Sequence, residues 1–196
     1  MTVIERTVKT FSKISDIDDI IVVVRESDIP LYEKVLSGYD ISYCIGGSTR
    51  QESVSNAVET IDSCDMIIIH DGARPLVTEK EILNTLRSAE KYGAAATGVP
   101  VKDTIKVIDN NNKIVDTPKR SSLIAIQTPQ IFTFNKYVEA MNCAKMRGKD
   151  FTDDCKLLEN INEDVYVVIG DYSNIKITTP DDIPLAESIL KLRGEK

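Results

Sequence analysis

MIIIHDGARPLVTEKEIL, Met66 to Leu83, is the stretch that decides the fold. Met66 to Ile69 form an unbroken apolar run, which predicts a strand buried on both faces. The polar turn HDGARP follows at once. Thr78, with Glu81 three residues on, is a capping box that opens a helix through Ile82, Leu83, Leu86 and Ala89. Strand, loop and helix in this order are one βα unit.

The same unit recurs in both directions. Upstream, Val3, Ile4, Thr7, Val8 and Phe11 share a helical spacing. DIIVVV (Asp19–Val24) is a short β-branched strand. Leu31 to Gly38 is a helix stopped by its glycine. ISYCI (Ile41–Ile45) is a strand that ends at Gly46-Gly47, and SVSNAVETI (Ser53–Ile61) is a helix. Downstream, AAATGVPV and VYVVIG are strands. Thr179-Pro180-Asp181-Asp182 starts a last helix, with threonine as the cap. Alternating strands and helices predict an α/β fold that is Rossmann-like, with a mostly parallel sheet covered by helices on both faces.

Asp103 to Gln127 break the pattern. TIKVID, then Asn110-Asn111-Asn112, then KIVDTPKR read as a polar hairpin with an asparagine turn. A hairpin protruding from an α/β body predicts a dimerisation arm. With no linker, repeat or low-complexity stretch, residues 1–196 read as a single domain.

Composition excludes several functions. A net charge of -7 and a pI near 4.9 argue against nucleic-acid binding, which needs a basic stripe. A nucleotide substrate needs only local cations. Cys44, Cys64, Cys143 and Cys155 match neither a metal motif nor a disulfide framework. No apolar run is long enough to span a bilayer, and MTVIERTVKTF lacks the apolar core of a signal peptide. A cytoplasmic protein is expected.

In open α/β sheets ligands bind beyond the carboxyl ends of the strands. Four polar segments follow strands here: GGSTRQES, HDGARP, VKDT and NIKITTP. In the first, Gly46 and Gly47 allow close backbone approach, and Ser53 lies near a helix start. From spacing alone, a tight turn with an N-terminal helix cap is the favoured reading of this segment. Asp71 can hold a metal or a sugar hydroxyl, and Arg74 can clamp a phosphate. A local Asp–Arg ion pair is the alternative. His70, the only histidine, reads as a structural residue that closes a buried strand. Thr104, Arg120, Thr128, Thr152 and Lys176 are hydroxyls and cations able to converge on a second phosphate. A helix cap also suits Thr152, and a solvent-facing strand position suits Lys176. No G-x-G-x-x-G follows the first strand, which counts against a dinucleotide-dependent oxidoreductase.

GGSTRQESV, HDGARPLV, VPVKDTIK, QTPQIF, FTDDCKLLE and NIKITTPDDI, in this order, resemble the 2-C-methyl-D-erythritol 4-phosphate cytidylyltransferases over nearly the whole chain. The resemblance implies that CTP and methylerythritol phosphate react to give CDP-methylerythritol and pyrophosphate, with a divalent metal, normally magnesium. It implies a homodimer joined through the arm at 103–127. Gly47, Ser48 and Ser53 would contact the cytidine, although Ser48 stands where an acid is common. Asp71 and Arg74 would hold the methylerythritol phosphate, with Asp71 also the candidate metal ligand. Thr104, Thr152 and Lys176 would line that pocket, and Arg120 and Thr128 would reach it from the partner subunit. Lys176 would also offset charge on the pentavalent phosphorus.

The family also opens with a strand and a glycine-rich loop carrying an arginine and, further on, a Pro-Lys pair, which wrap the triphosphate. Met1 falls where the family enters its first long helix, so roughly 30 residues, about the size of a strand–loop unit, are expected to be missing. A weakened triphosphate grip is expected with them. A ribitol 5-phosphate cytidylyltransferase and an inactive dimeric remnant are the competing readings.

Overall fold

The computed structural model describes residues 1–195 of the chain. Four strands form the main sheet: β3 (Met66–Ile69), β4 (Ala94–Pro100), β7 (Ile124–Thr133) and β8 (Tyr166–Ile169). Their order is β3-β7-β4-β8. Only β7 runs against the others, antiparallel to both β3 and β4, while β4 and β8 are parallel. Two further strands, β1 (Ile21–Val24) and β2 (Ser42–Ile45), pair in parallel as a separate ribbon.

Period-2 patterning explains how the main sheet is covered. Ile67, Ala94, Ala96 and Phe132 face one side, where they pack on α5 (Phe134–Met146) and α6 (Asp154–Glu159) through Tyr137, Ala140, Leu157 and Leu158. Ala95, Ile131 and Ile68 face the other side and meet Leu86 and Ala89 of α4 (Glu79–Tyr92). Alanines on β4 let α4 approach closely. Each large side chain fully buried here contributes about 1.5–3 kcal/mol.

Local signals set the ends of α4. Thr78 and Glu81 exchange both capping-box bonds, and Gly93 closes the helix at φ 88°, where a Cβ is disfavoured. A second capping box, Thr2 with Glu5, opens α1 (Val3–Phe11). Phe11 and Ile14 then pack on Val77 and Ile82 beside α4.

Several expectations change. MIII is only half-buried, because β3 has one strand neighbour among the described residues. α2 spans Ile29–Val35, earlier than the spacing predicts, and α3 spans Arg50–Val58 behind its Thr49 cap. Thr179 does not cap α7 (Asp182–Leu192). Instead, Asp182 Oδ2 accepts the backbone N–H groups of Thr178 and Thr179. Residues 124–127, assigned to the arm from sequence, are the beginning of β7. The hairpin itself is β5 (Val107–Ile108) and β6 (Ile114–Asp116), turned through Asn112 at φ 62°. Asn174 to Thr178 carry no sheet pairing, so the alternation read for Lys176 does not apply.

Candidate active site

The loop after β3 carries the centre of the site. Arg74 Nε donates to Asp71 Oδ2 at 3.1 Å, and Lys176 Nζ lies 3.2 Å from the same oxygen. Two cations therefore share one carboxylate oxygen. Asp71 and Arg74 are mostly buried, at 16% and 13% side-chain exposure, while Lys176 is open at 43%. Burial acts to raise the Asp71 pKa, but Lys176 and Arg74 outweigh it, so the carboxyl lies below its ordinary value. At neutral pH the trio carries one surplus positive charge.

The segment that brings Lys176 here is pinned along its length. Ile177 N donates to Ala73 O at 2.8 Å, and Arg74 Nη1 donates to Asn174 O at 2.8 Å. Asn174, fully buried, donates from Nδ2 to Thr128 O at 2.9 Å. From α7, Arg193 bonds both Leu76 O and Ser173 Oγ. A pairing over a hundred residues apart is thus held by backbone as well as by charge.

Thr128 needs a correction. Its side chain is 3% exposed, and its hydroxyl accepts the Asp71 backbone N–H at 3.0 Å. It is part of its own subunit's site floor, and a buried hydroxyl cannot reach across to a partner. His70 touches it from the other side, with Nδ1 3.0 Å from the Thr128 hydroxyl and Nε2 3.3 Å from Arg74 O. The ring packs 4.8 Å from Phe11, and burial pushes its pKa down to about 4. His70 is neutral at pH 7, in keeping with a structural residue.

The loop after β2 folds on itself. Gly47 N donates to Ser53 Oγ at 3.0 Å, and Ser48 gives both its backbone N–H and its hydroxyl to Glu52 Oε2. A Cβ at Gly47 would stand 2.3 Å from the Glu52 side chain. Glycine is needed there by the loop's own packing. Thr104, Arg120 and Thr152 are exposed, and among the described residues no hydrogen bond or ion pair joins them to the trio. Arg120 donates to Lys102 O at 3.0 Å at the base of the arm. Thr152 is not the cap of α6, because Asp153 accepts from Lys156 N.

Sequence reading missed one pair. Arg50 Nη2 donates to Asp154 Oδ2 at 2.6 Å, joining α3 to α6. The two residues are 104 positions apart, and nothing local marks either.

Asp71 is the one carboxylate expected to hold a metal. Its Oδ2 is committed to two cations, and among the described residues no group of three His, Cys, Asp or Glu could hold an ion. These residues do not fit a metal site built by the protein alone.

The profile of the family described as IspD: 2-C-methyl-D-erythritol 4-phosphate cytidylyltransferase matches residues 1–192. The chain belongs to this family. A cytidylyltransferase of that name from Clostridium perfringens is 43% identical over 193 residues, covering 96% of this chain and 86% of the relative. One from Clostridium beijerinckii is 47% identical over 189 residues, with 94% and 84% covered. Among solved structures, the 4-diphosphocytidyl-2C-methyl-D-erythritol synthase of Anaerococcus prevotii superposes with TM-score 0.91 at 35% identity, over 97% of this chain and 86% of that one. The Thermus thermophilus cytidylyltransferase gives TM-score 0.84 at 29% identity, over 97% and 89%. A member of this family is a nucleotidyltransferase, and the α/β class read from sequence agrees.

Proposed function

We propose that this chain joins CTP to 2-C-methyl-D-erythritol 4-phosphate, giving CDP-methylerythritol and pyrophosphate, in non-mevalonate isoprenoid synthesis. The observation that carries the reading is the shared carboxylate oxygen of Asp71, which holds Arg74 and Lys176 side by side where β3 ends. The membership of the cytidylyltransferase family and the named relatives support the same substrates.

The chemistry follows from the charges. An oxygen of the methylerythritol phosphate attacks the α-phosphorus of CTP, a P–O bond forms, and the bond to pyrophosphate breaks. The nucleophile is already ionised, so no base is required. What the reaction needs is two anionic groups brought together and charge on the five-coordinate phosphorus offset. Arg74, nearly buried and fixed by Asp71 and Asn174 O, orients the incoming phosphate. Lys176, more exposed, meets the charge that develops at phosphorus. Asp71 keeps both cations in place. Thr152 and Thr104 line the sugar-phosphate side, and Gly47, Ser48 and Ser53 receive the cytidine.

The wider setting is a cytoplasmic homodimer joined through the arm, with Arg120 serving the partner's site and magnesium accompanying the triphosphate. The acidic composition fits a chain without nucleic-acid or membrane partners.

The test is pyrophosphate release from CTP with methylerythritol phosphate or ribitol 5-phosphate as acceptor. Turnover of the first is expected. Turnover of ribitol phosphate alone, or of neither, would sink the reading.

A further inference from the structure

We infer that Arg50 is an additional binding cation of this site: Asp154 holds one edge of its guanidinium and leaves the rest for a phosphate oxygen of a substrate. The inference rests on the phosphoryl-transfer reading above and adds to it a residue outside the Asp71 trio.

The anchor is rigid. Asp154 is 1% exposed, its Oδ1 accepts from the Tyr137 hydroxyl at 2.6 Å, and its Oδ2 takes Arg50 at 2.6 Å. Its backbone N–H donates to Gln130 Oε1 at 3.1 Å, and Gln130 is itself buried in β7. Tyr137 of α5 and Gln130 of β7 therefore fix the residue that fixes Arg50. A guanidinium carries five N–H donors in a planar fork. Asp154 takes one, and no second acceptor is recorded for Arg50 among the described residues. The side chain is 34% exposed, so the unused donors have a way out.

A purely structural role explains this poorly. Buried ion pairs are weak stabilisers compared with apolar packing of the same volume, because each charge loses its hydration. A pair kept with one edge open serves positioning better than stability. Position in the fold agrees. Arg50 is the first residue of α3, directly after the loop of Gly47 and Ser48, and its partner Asp154 lies two residues beyond Thr152. Burial opposes the Arg50 charge, yet Asp154, and Asp71 after it, hold its pKa above the ordinary value. The guanidinium is therefore within electrostatic reach of Asp71. Gln130, which holds Asp154, pairs with Ile69 across β7 and β3, two residues before Asp71, so the Arg50–Asp154 pair is tied to the strand end that carries the trio. The group Arg50 binds is a phosphate, contributed either by CTP or by the polyol phosphate.

The experiment measures CTP and methylerythritol phosphate binding by calorimetry for wild type, Arg50→Gln, Arg50→Lys and Lys176→Ala, with a thermal melt of each. Arg50→Gln is expected to weaken one of the two ligands by about tenfold to a hundredfold, as for loss of a charge-assisted bond. The weakened ligand identifies the phosphate, and Arg50→Lys is expected to recover most of the loss. A wild-type measurement covers the case in which Arg50→Gln does not fold. Phenylglyoxal modification at Arg50, read by mass spectrometry, is expected to slow when that ligand is added. Unchanged affinity in Arg50→Gln, or no ligand protection in wild type, overturns the inference. If Lys176→Ala still weakens binding in that case, the functional reading stands alone. Binding of neither ligand by wild type overturns both.

Discussion

The hydroxyl of Thr128 accepts the backbone N–H of Asp71 at 3.0 Å and lies 3.0 Å from Nδ1 of His70. The directions of the bonds follow. Arg74 O can only accept, so in the neutral ring Nε2 carries the proton, Nδ1 is the acceptor and the Thr128 hydroxyl donates to it. One threonine and one neutral histidine close the 70–74 turn that presents Asp71 and Arg74. Thr128→Val leaves the Asp71 N–H and His70 Nδ1 without partners. A loss of about 1–3 kcal/mol in urea unfolding is expected, with a fall in kcat/KM for the polyol phosphate. Thr128→Ser keeps the hydroxyl and should restore most of both. Equal behaviour of the valine and serine variants would contradict the role.

The same histidine sets a pH dependence. Its pKa falls from 6.5 to about 4 on folding, because burial disfavours the charged ring. Between these values the unfolded chain binds more protons than the folded one, so stability is full above pH 6.5 and is lost as pH falls toward 4. The loss approaches about 3 kcal/mol over that window. His70→Asn should flatten the slope of stability against pH there, measured by denaturant titration at several pH values. An unchanged slope would show that the ring is not buried neutral.

Lys176→Ala removes one of the two cations on Asp71 Oδ2. Turnover should drop by about a hundredfold or more, as for removal of an oxyanion-stabilising group. Stability should change little, since the lysine is 43% exposed. A drop seen only in KM for CTP, with kcat intact, would move Lys176 from charge stabilisation to ground-state binding.

How much of this was legible in sequence depends on distance along the chain. The β3 strand, the HDGARP loop and the Thr78–Glu81 box are local signals, and the spacing alone reveals them. The start of α7 is local too, but the Thr178 and Thr179 amides donate to Asp182 Oδ2, with the aspartate and not the threonine as acceptor. β7 was hidden because QTPQ is polar. Gln127, Thr128 and Gln130 are buried through hydrogen bonds to segments far away, which no periodicity reports. Arg50 and Asp154, or Thr128 and Asp71, become partners only through tertiary packing.

Gly47→Ala tests the nucleotide loop. A Cβ there meets Glu52 at 2.3 Å, and Glu52 holds Ser48 through both backbone and side chain. Glu52 must move, and Ser48 moves with it. KM for CTP should rise by about tenfold while KM for the polyol phosphate and the melting temperature stay near wild type. Parallel loss of both substrates would mean that the two halves of the site are not separable in this way.

The arm offers the last test. Val107, Ile108, Ile114 and Val115 are 43–57% exposed on a hairpin of two short strands. Such a ribbon is marginal alone, and its apolar side chains gain most by packing on another surface. A second copy of the chain, as proposed, buries them and carries Arg120 to the other site. Ile114→Asp puts a charge into that contact. Sedimentation should show a monomer, and turnover should fall even though Asp71, Arg74 and Lys176 are untouched. A variant that remains dimeric and active would place the subunit contact elsewhere on the molecule.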